Sequence, residues 1–160
     1  MTPFHAMPGH LIRRLNQIST SIFQDRMQAL GLDLTPVQFA ALACLDDNPG
    51  VDQATLAGLI AYDRVTIGGV VDRLETKGLV TRTVNARDRR ARRVTLSDAG
   101  AALLHRIRPD IEAIQPDILA GLSDAERAAF TALAAKAATA GNDRSRAPLK
   151  PRAAPSPLLR

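Results

Sequence analysis

The chain has 160 residues, 46% of them hydrophobic and 23% charged, enough for one domain with its own core and too few for two. Its longest apolar run, Phe39 to Leu45, is seven residues against the roughly 20 a membrane-crossing helix needs, the first nine residues lack the pattern of an export signal, and the single Cys44 cannot close an internal disulfide, so a cytoplasmic chain with no membrane partner is expected. The net charge of +5 is unevenly placed: residues 64–93 hold nine Lys or Arg against three acids, residues 142–160 hold five against one, and the remainder is net acidic. Such concentration marks a polyanionic partner, and an aromatic content of 3% disfavours the base-stacking platforms of single-strand binders.

Residues 1–8 read as an N-terminal extension. Leu11, Leu15, Ile18 and Ile22 then recur at helical spacing, predicting a first helix over about 9–30 that stops near Gly31. Thr35, Pro36 and Gln38 supply a cap, a first-turn proline and the partner of a capping box for a second helix to about Asp46. After the turn Asn48-Pro49-Gly50, Asp52 caps a brief third helix. Asp63 caps a fourth, with Ile67, Val70, Val71 and Leu74 on one stripe and Arg64, Thr66, Gly68, Gly69 and Arg73 towards the other side, until Gly78 stops it.

The period then changes. Leu79–Val84 and Val94–Leu96 predict two short strands joined by a basic tip, Asn85–Arg93, containing Arg87, Asp88, Arg89, Arg90, Arg92 and Arg93. Ser97 caps a long fifth helix in which Ile107, Ile111, Ile114 and Ile118 repeat and which Pro109 and Pro116 should bend or break. Ser123 and Glu126 form a second capping box before a last helix with Phe130 and Leu133. The Pro-rich, basic stretch 142–160 reads as a disordered tail.

This order is mainly α with a small β-hairpin: a winged helix-turn-helix over about 33–97, flanked by N- and C-terminal dimerisation helices over 9–30 and 98–140. A helix enters the roughly 12 Å major groove of duplex DNA when its outward side is polar and not bulky. Arg64, Thr66, Gly69 and Arg73 meet that requirement, and Arg87, Arg89, Arg90, Arg92 and Arg93 suit the negative minor groove. Asp88 is expected to pair with Arg90 or another wing arginine and orient the loop. The competing reading, a solvated charge run, is weakened by its place directly after a helix-turn-helix pattern. The stripes Leu11, Leu15, Ile18, Ile22 and Ile107, Ile111, Ile114, Ile118 exceed what the reading unit can cover, so a homodimer is expected.

The segments Asp33-Leu-Thr-Pro-Val-Gln-Phe-Ala-Ala-Leu, Leu56-Ala, Val70-Val-Asp-Arg-Leu-Glu-Thr-Lys-Gly-Leu-Val-Thr-Arg, Asp88-Arg-Arg and Val94-Thr-Leu-Ser together resemble the MarR family of transcriptional regulators over about residues 9–141. The resemblance implies a homodimer with interlocking first, fifth and sixth helices, a palindromic operator, and release of DNA by small aromatic acids or oxidants. Gly9-His10-Leu11-Ile12-Arg13-Arg14 and Tyr62-Asp63-Arg64-Val65-Thr66 are similar to the branch controlling aromatic-acid or nicotinate catabolism. A family-type effector pocket would draw on His10, Arg13 and Arg14 for a carboxylate and on Phe39 for an apolar wall.

No cofactor is expected. Histidines 5, 10 and 105 show no metal-ligand spacing, and neither a phosphate loop nor a nucleophile turn is present, so neither metal nor catalytic residues are assigned and an enzyme is not expected. Three other readings remain open at this stage: an architectural DNA binder without effector, a thiol-based redox regulator acting through Cys44, and a protein-interaction module for an acidic partner.

Overall fold

The computed structural model describes residues 3–84 and 92–151. A short 3-10 turn, Phe4–Ala6, leads into α1 (Pro8–Ala29), followed by α2 (Pro36–Asp47), β1 (Val51–Asp52), α3 (Gln53–Leu59), α4 (Arg64–Thr76), β2 (Val80–Val84), β3 (Arg92–Leu96), α5 (Asp98–Ala113), α6 (Gln115–Ile118) and α7 (Asp124–Ala140). Side chains chosen for capping open most of the helices. At α2 the expected box is closed in both directions, Gln38 N–H donating to Thr35 Oγ1 (3.3 Å) and Thr35 N–H to Gln38 Oε1 (3.1 Å), and Ser123 with Glu126 does the same at α7.

The sheet has three antiparallel strands in the order β1-β3-β2, with Val51 opposite Val94, Val80 opposite Leu96 and Val84 opposite Arg92. The hairpin was legible in the sequence; β1 was not. Two residues carry no periodicity, and their partner lies 43 positions along the chain. Arg92 and Arg93, expected in the tip, stand in β3, while Arg87, Asp88, Arg89 and Arg90 lie outside the described residues. Val51, Val80 and Val94 face inward and join Leu42 and Leu45 of α2, Leu56 of α3, and Ile67, Val70, Val71 and Leu74 of α4 in one core.

Alpha-5 corrects an expectation. Ile107, Ile111 and Ile114 are buried in this core within a single chain (1%, 7% and 8% exposed), and Ile118 is half-buried. Three of the four are therefore taken up within the chain, where α5 lies against α2 and β3, and Ile118 stands on α6, which lies against α1. The proline expectation divides similarly. Pro109 is accommodated inside α5, whereas Pro116 sits at the start of α6 and marks the break at Ile114. On α1, by contrast, Leu11 and Ile18 stay exposed and Leu15 and Ile22 are half-buried, while Phe23 and Met27 supply its buried contacts. No residue of α7 is buried.

The start of α5 is fixed against the hairpin. Ser97 accepts from Gly100 N–H (3.0 Å) and donates through its hydroxyl to Gly78 O (2.6 Å). A Cβ on Gly100 would lie 2.0 Å from the carbonyl oxygen of Leu79, an overlap that only a shift of backbone relieves. Of the stretch 142–160 expected to be disordered, Asn142–Pro151 is part of the folded chain, tied back by hydrogen bonds from Asn142 and Lys150, and residues 152–160 lie outside the described residues.

Gly100→Ala is expected to destabilise the fold by about 1–3 kcal/mol or more, the range for overpacking a filled site. Urea unfolding would measure it as a lowered midpoint at unchanged slope.

Candidate nucleic-acid interface

Alpha-3 and α4 meet at 110° across the turn Ile60–Asp63, within the range of a helix-turn-helix. The turn is built locally. At the end of α3, Tyr62 N–H donates to Ala57 O (2.9 Å) and Ala61 N–H to Gly58 O (3.4 Å), the two bonds of a Schellman ending. The residue between them must take a left-handed conformation, and here it is Ala61, at φ +54°. The equivalent place after α4 is held by Gly78 at φ +70°. Each helix of the pair starts on the same device, an Asp-x-x-Thr cap: Asp52 with Thr55 at α3 and Asp63 with Thr66 at α4.

Alpha-4 divides into two sides as the sequence predicts. Ile67, Val70, Val71 and Leu74 are at most 1% exposed, each contributing roughly 1.5–3 kcal/mol by leaving water. Arg64, Thr66 and Arg73 are exposed, and Gly68 and Gly69 are half-buried. Two details sharpen this face. Thr66 donates its hydroxyl to Asp63 Oδ2 (2.5 Å), so toward a base it presents its methyl group and its lone pairs rather than its proton. Arg73 lies back along the helix, a terminal nitrogen 3.7 Å from the place a Cβ of Gly69 would occupy, an ordinary contact distance that leaves room for a methyl group there. Hydrogen bonds from the Thr66 hydroxyl and amide hold the Asp63 carboxyl below its ordinary range, keeping the cap ionised at neutral pH.

Sequence reasoning passed over two residues of this surface. Val65, 88% exposed, is an apolar side chain on the polar side, suited to the apolar contact a thymine methyl offers; its position two residues before Ile67 was the available signal. Arg82, on β2, donates Nη1 to Asp72 (2.7 Å) and Nε to Glu75 (2.9 Å), with Nη2 also on Glu75. It thereby clamps the hairpin to α4. Hydrogen bonds from Arg82 depress the Glu75 carboxyl, and that carboxylate in turn raises the guanidinium. Nothing in the sequence distinguished Arg82 from its basic neighbours.

The geometry thus sorts the basic run. Arg82 serves Asp72 and Glu75, and Lys77 pairs with Asp33 (2.9 Å). Among the described residues no carboxylate lies within 4 Å of Arg64, Arg73, Arg92 or Arg93, all exposed. Among the described residues of this run, these four are the cations left without an ion pair.

The expected effector residues are brought together only in part within one chain: a terminal nitrogen of Arg13 lies 3.5 Å from His10 Nδ1 while Arg13 also donates to Gln17 (2.8 Å), and His10 stands beside Phe4 (centroids 4.6 Å apart). Phe39 instead packs beside Phe23 (6.0 Å), which stands roughly 14–20 Å along α1 from Arg14 and His10 at 1.5 Å per residue. Arg14 is exposed on α1. Cys44 is half-buried on α2; burial, then the charge of Asp47, pushes its thiol up, which lowers the thiolate fraction a redox sensor requires.

Fold and surface together define a winged helix-turn-helix DNA-binding protein. A sequence profile of the MarR family matches residues 34–91. The HTH-type transcriptional repressor NicR of Pseudomonas putida is 38% identical over 128 residues, covering 80% of each chain. The structure of Bordetella bronchiseptica BpsR, whose DNA binding is regulated by 6-hydroxynicotinic acid, superposes with a TM-score of 0.79 at 33% identity over 86% of this chain and 96% of that one. The transcriptional repressor CouR, bound to a 23-mer DNA duplex, gives 0.77 at 29% identity over 86% and 96%. The chain belongs to the MarR family: it is a DNA-binding transcription regulator and not an enzyme.

Two outcomes are expected of this geometry. Arg82→Met lowers thermal stability at pH 7. Because Glu75 titrates below its unfolded value, the contribution is fully present above the ordinary glutamate range and is lost as pH falls through the depressed one; the gap between the melting curves of the two proteins should narrow progressively as pH falls below the ordinary glutamate range. Ala61→Gly relieves left-handed strain of roughly 1–2 kcal/mol against about 0.4–1 kcal/mol of added unfolded-state freedom, for a net gain of about 0.5–1 kcal/mol in urea unfolding.

Proposed function

We propose that the protein is a cytoplasmic, homodimeric repressor that binds a palindromic operator and is released from it by a small aromatic carboxylate. The observation that carries the reading is the exposed, non-bulky face of α4, with Arg64, Val65, Thr66 and Arg73 outward and its opposite side sealed in the core. Two such helices related by a two-fold axis read half-sites about one turn, roughly 10 base pairs, apart. Arg92 and Arg93, with Arg87, Arg89 and Arg90 of the tip, hold the flanking minor groove.

The dimer is supported by surfaces that one chain leaves uncovered. Alpha-7 is 17 residues long without a buried side chain, and its Phe130 and Leu133 stand exposed together with Leu11, Ile12 and Ile18 of α1. A helix of that length is marginal in water unless an apolar face is packed; a second copy supplies the cover. The effector class is supported by the likeness to BpsR, whose own regulator is 6-hydroxynicotinic acid. A carboxylate that binds one spacing of the two reading helices better than the other shifts the population and weakens operator binding. His10, Arg13 and Arg14 of one copy would meet it only where the dimer brings an apolar wall other than the chain's own Phe39.

A mobility-shift titration against the DNA upstream of its own gene, with and without 6-hydroxynicotinic acid and a panel of aromatic acids, tests the reading. Operator retention that an aromatic acid abolishes is expected; a ratio of specific to non-specific affinity near one would mark an architectural binder instead. Arg64→Ala or Arg73→Ala should cost about 1–3 kcal/mol and relax specificity wherever the side chain meets a base. Arg92→Gln should weaken all duplexes alike and lower the salt slope by about one for each phosphate it leaves without a cation.

A further inference from the structure

After α7 the chain turns back onto the helix-turn-helix. Asn142 closes the loop 142–149 with its own carboxamide, donating Nδ2 to Leu149 O (3.1 Å) and accepting Leu149 N–H on Oδ1 (2.7 Å), so that one side chain stands in for a strand neighbour. Ala147 N–H donates to Ser145 Oγ (3.1 Å) inside the same loop. The next residue, Lys150, donates its backbone N–H to Gly58 O on α3 (2.8 Å). Gly58 permits that approach, since a Cβ there would come within 3.2 Å of the Cβ of Lys150. Arg146, Pro148 and Lys150 consequently line one cleft with Tyr62, Asp63 and Arg64 at the start of α4.

We propose that Asn142–Lys150 is a docked cationic strap that binds the phosphate backbone of the duplex beside the reading helix. The inference rests on the reading of α4 given above and adds a second contact element to it. In a helix-turn-helix the first helix crosses the DNA backbone while the leading residues of the second meet the bases. The strap is fastened to that first helix, α3, and lies against the leading residues of the second, α4, which places it where phosphates run. Its charged side chains are Arg144, Arg146 and Lys150 against Asp143. Arg146 and Lys150 are exposed, and among the described residues no carboxylate lies within 4 Å of either. Asp63, the acid in the same cleft, is engaged through both oxygens with Thr66. A strap already held by Asn142 and Gly58 gives up less conformational freedom on binding than a free basic tail would.

The test uses full-length protein and fluorescence anisotropy on a palindromic operator duplex and on a scrambled one, over about 50–200 mM salt. The double variant Arg146→Gln/Lys150→Gln should lose about tenfold in affinity on both duplexes, with the salt slope lower by about one for each phosphate no longer neutralised and the specificity ratio unchanged. Asn142→Ala keeps every charge and opens the clasp. It should weaken both duplexes in the same direction, which a basic segment hanging free would not do. Wild-type affinity and slope in Asn142→Ala would overturn the proposal, and so would tighter binding by either variant, since the segment would then obstruct the groove. Arg64→Ala in the same titration separates the two readings: if it loses the operator while the strap variants match wild type, the strap alone fails, and if wild type retains neither duplex, the reading of α4 fails first.

Discussion

One guanidinium ties the reading helix to the base of the wing. Arg82 bridges Asp72 and Glu75, which stand three residues apart on α4 and so project on the same side of the helix. Each bond is charge-assisted, and Glu75 receives two of them. A hairpin of two five-residue strands and a thirteen-residue helix would otherwise be joined through the turn at Gly78, the hydroxyl of Ser97 on it and the core contacts of Val80 and Val94. With Arg82 in place, the direction in which β2 leaves the helix is set from the solvent side as well as from the core. Any surface that engages α4 and the wing together depends on that angle.

The helix-turn-helix is stiffened by the same economy of local bonds. Two Asp-x-x-Thr caps begin its helices, and a Schellman ending closes the first. The turn holds Ala61 where glycine would be less strained, so the surrounding bonds and the burial of Leu56 and Ala57 below outweigh a local penalty. The cap at Asp63 has a further consequence: it ties the Thr66 hydroxyl to the scaffold and alters what that residue presents to DNA. Structure-holding and partner-facing roles are shared by one side chain.

The two ends of the chain satisfy their surfaces differently. Alpha-1 and α7 keep apolar side chains in water within one chain, the faces that the proposed dimer would cover. The segment after α7 is closed within the chain, by an asparagine that satisfies a neighbouring backbone pair and by a glycine that admits a lysine backbone. Dimerisation and DNA contact, on this reading, are served by adjacent stretches of the same C-terminal region.

Helix positions, most of their caps and the division of α4 into a sealed and an open side are legible from the residues alone, because each rests on interactions within four positions of the chain or on a periodicity that a single element displays, and the two hairpin strands show as a change of that period with their bounds two residues off in β3. What was not legible depends on return paths. Val51 pairs with Val94 across 43 positions, too far and too short for any pattern to announce. The Ile107, Ile111 and Ile114 stripe shows only that α5 has an apolar side; that the side is filled by the chain's own α2 rather than by a partner follows from how the helices pack. His10 and Phe39 look compatible as pocket residues until the length of α1 separates them. Arg82 and Arg73 are chemically identical in the sequence, and only the strand register brings one between two carboxylates while the other meets none among the described residues. Local geometry was therefore determined by residue order, whereas the availability of each charge and each apolar face was decided by which distant element came to lie against it.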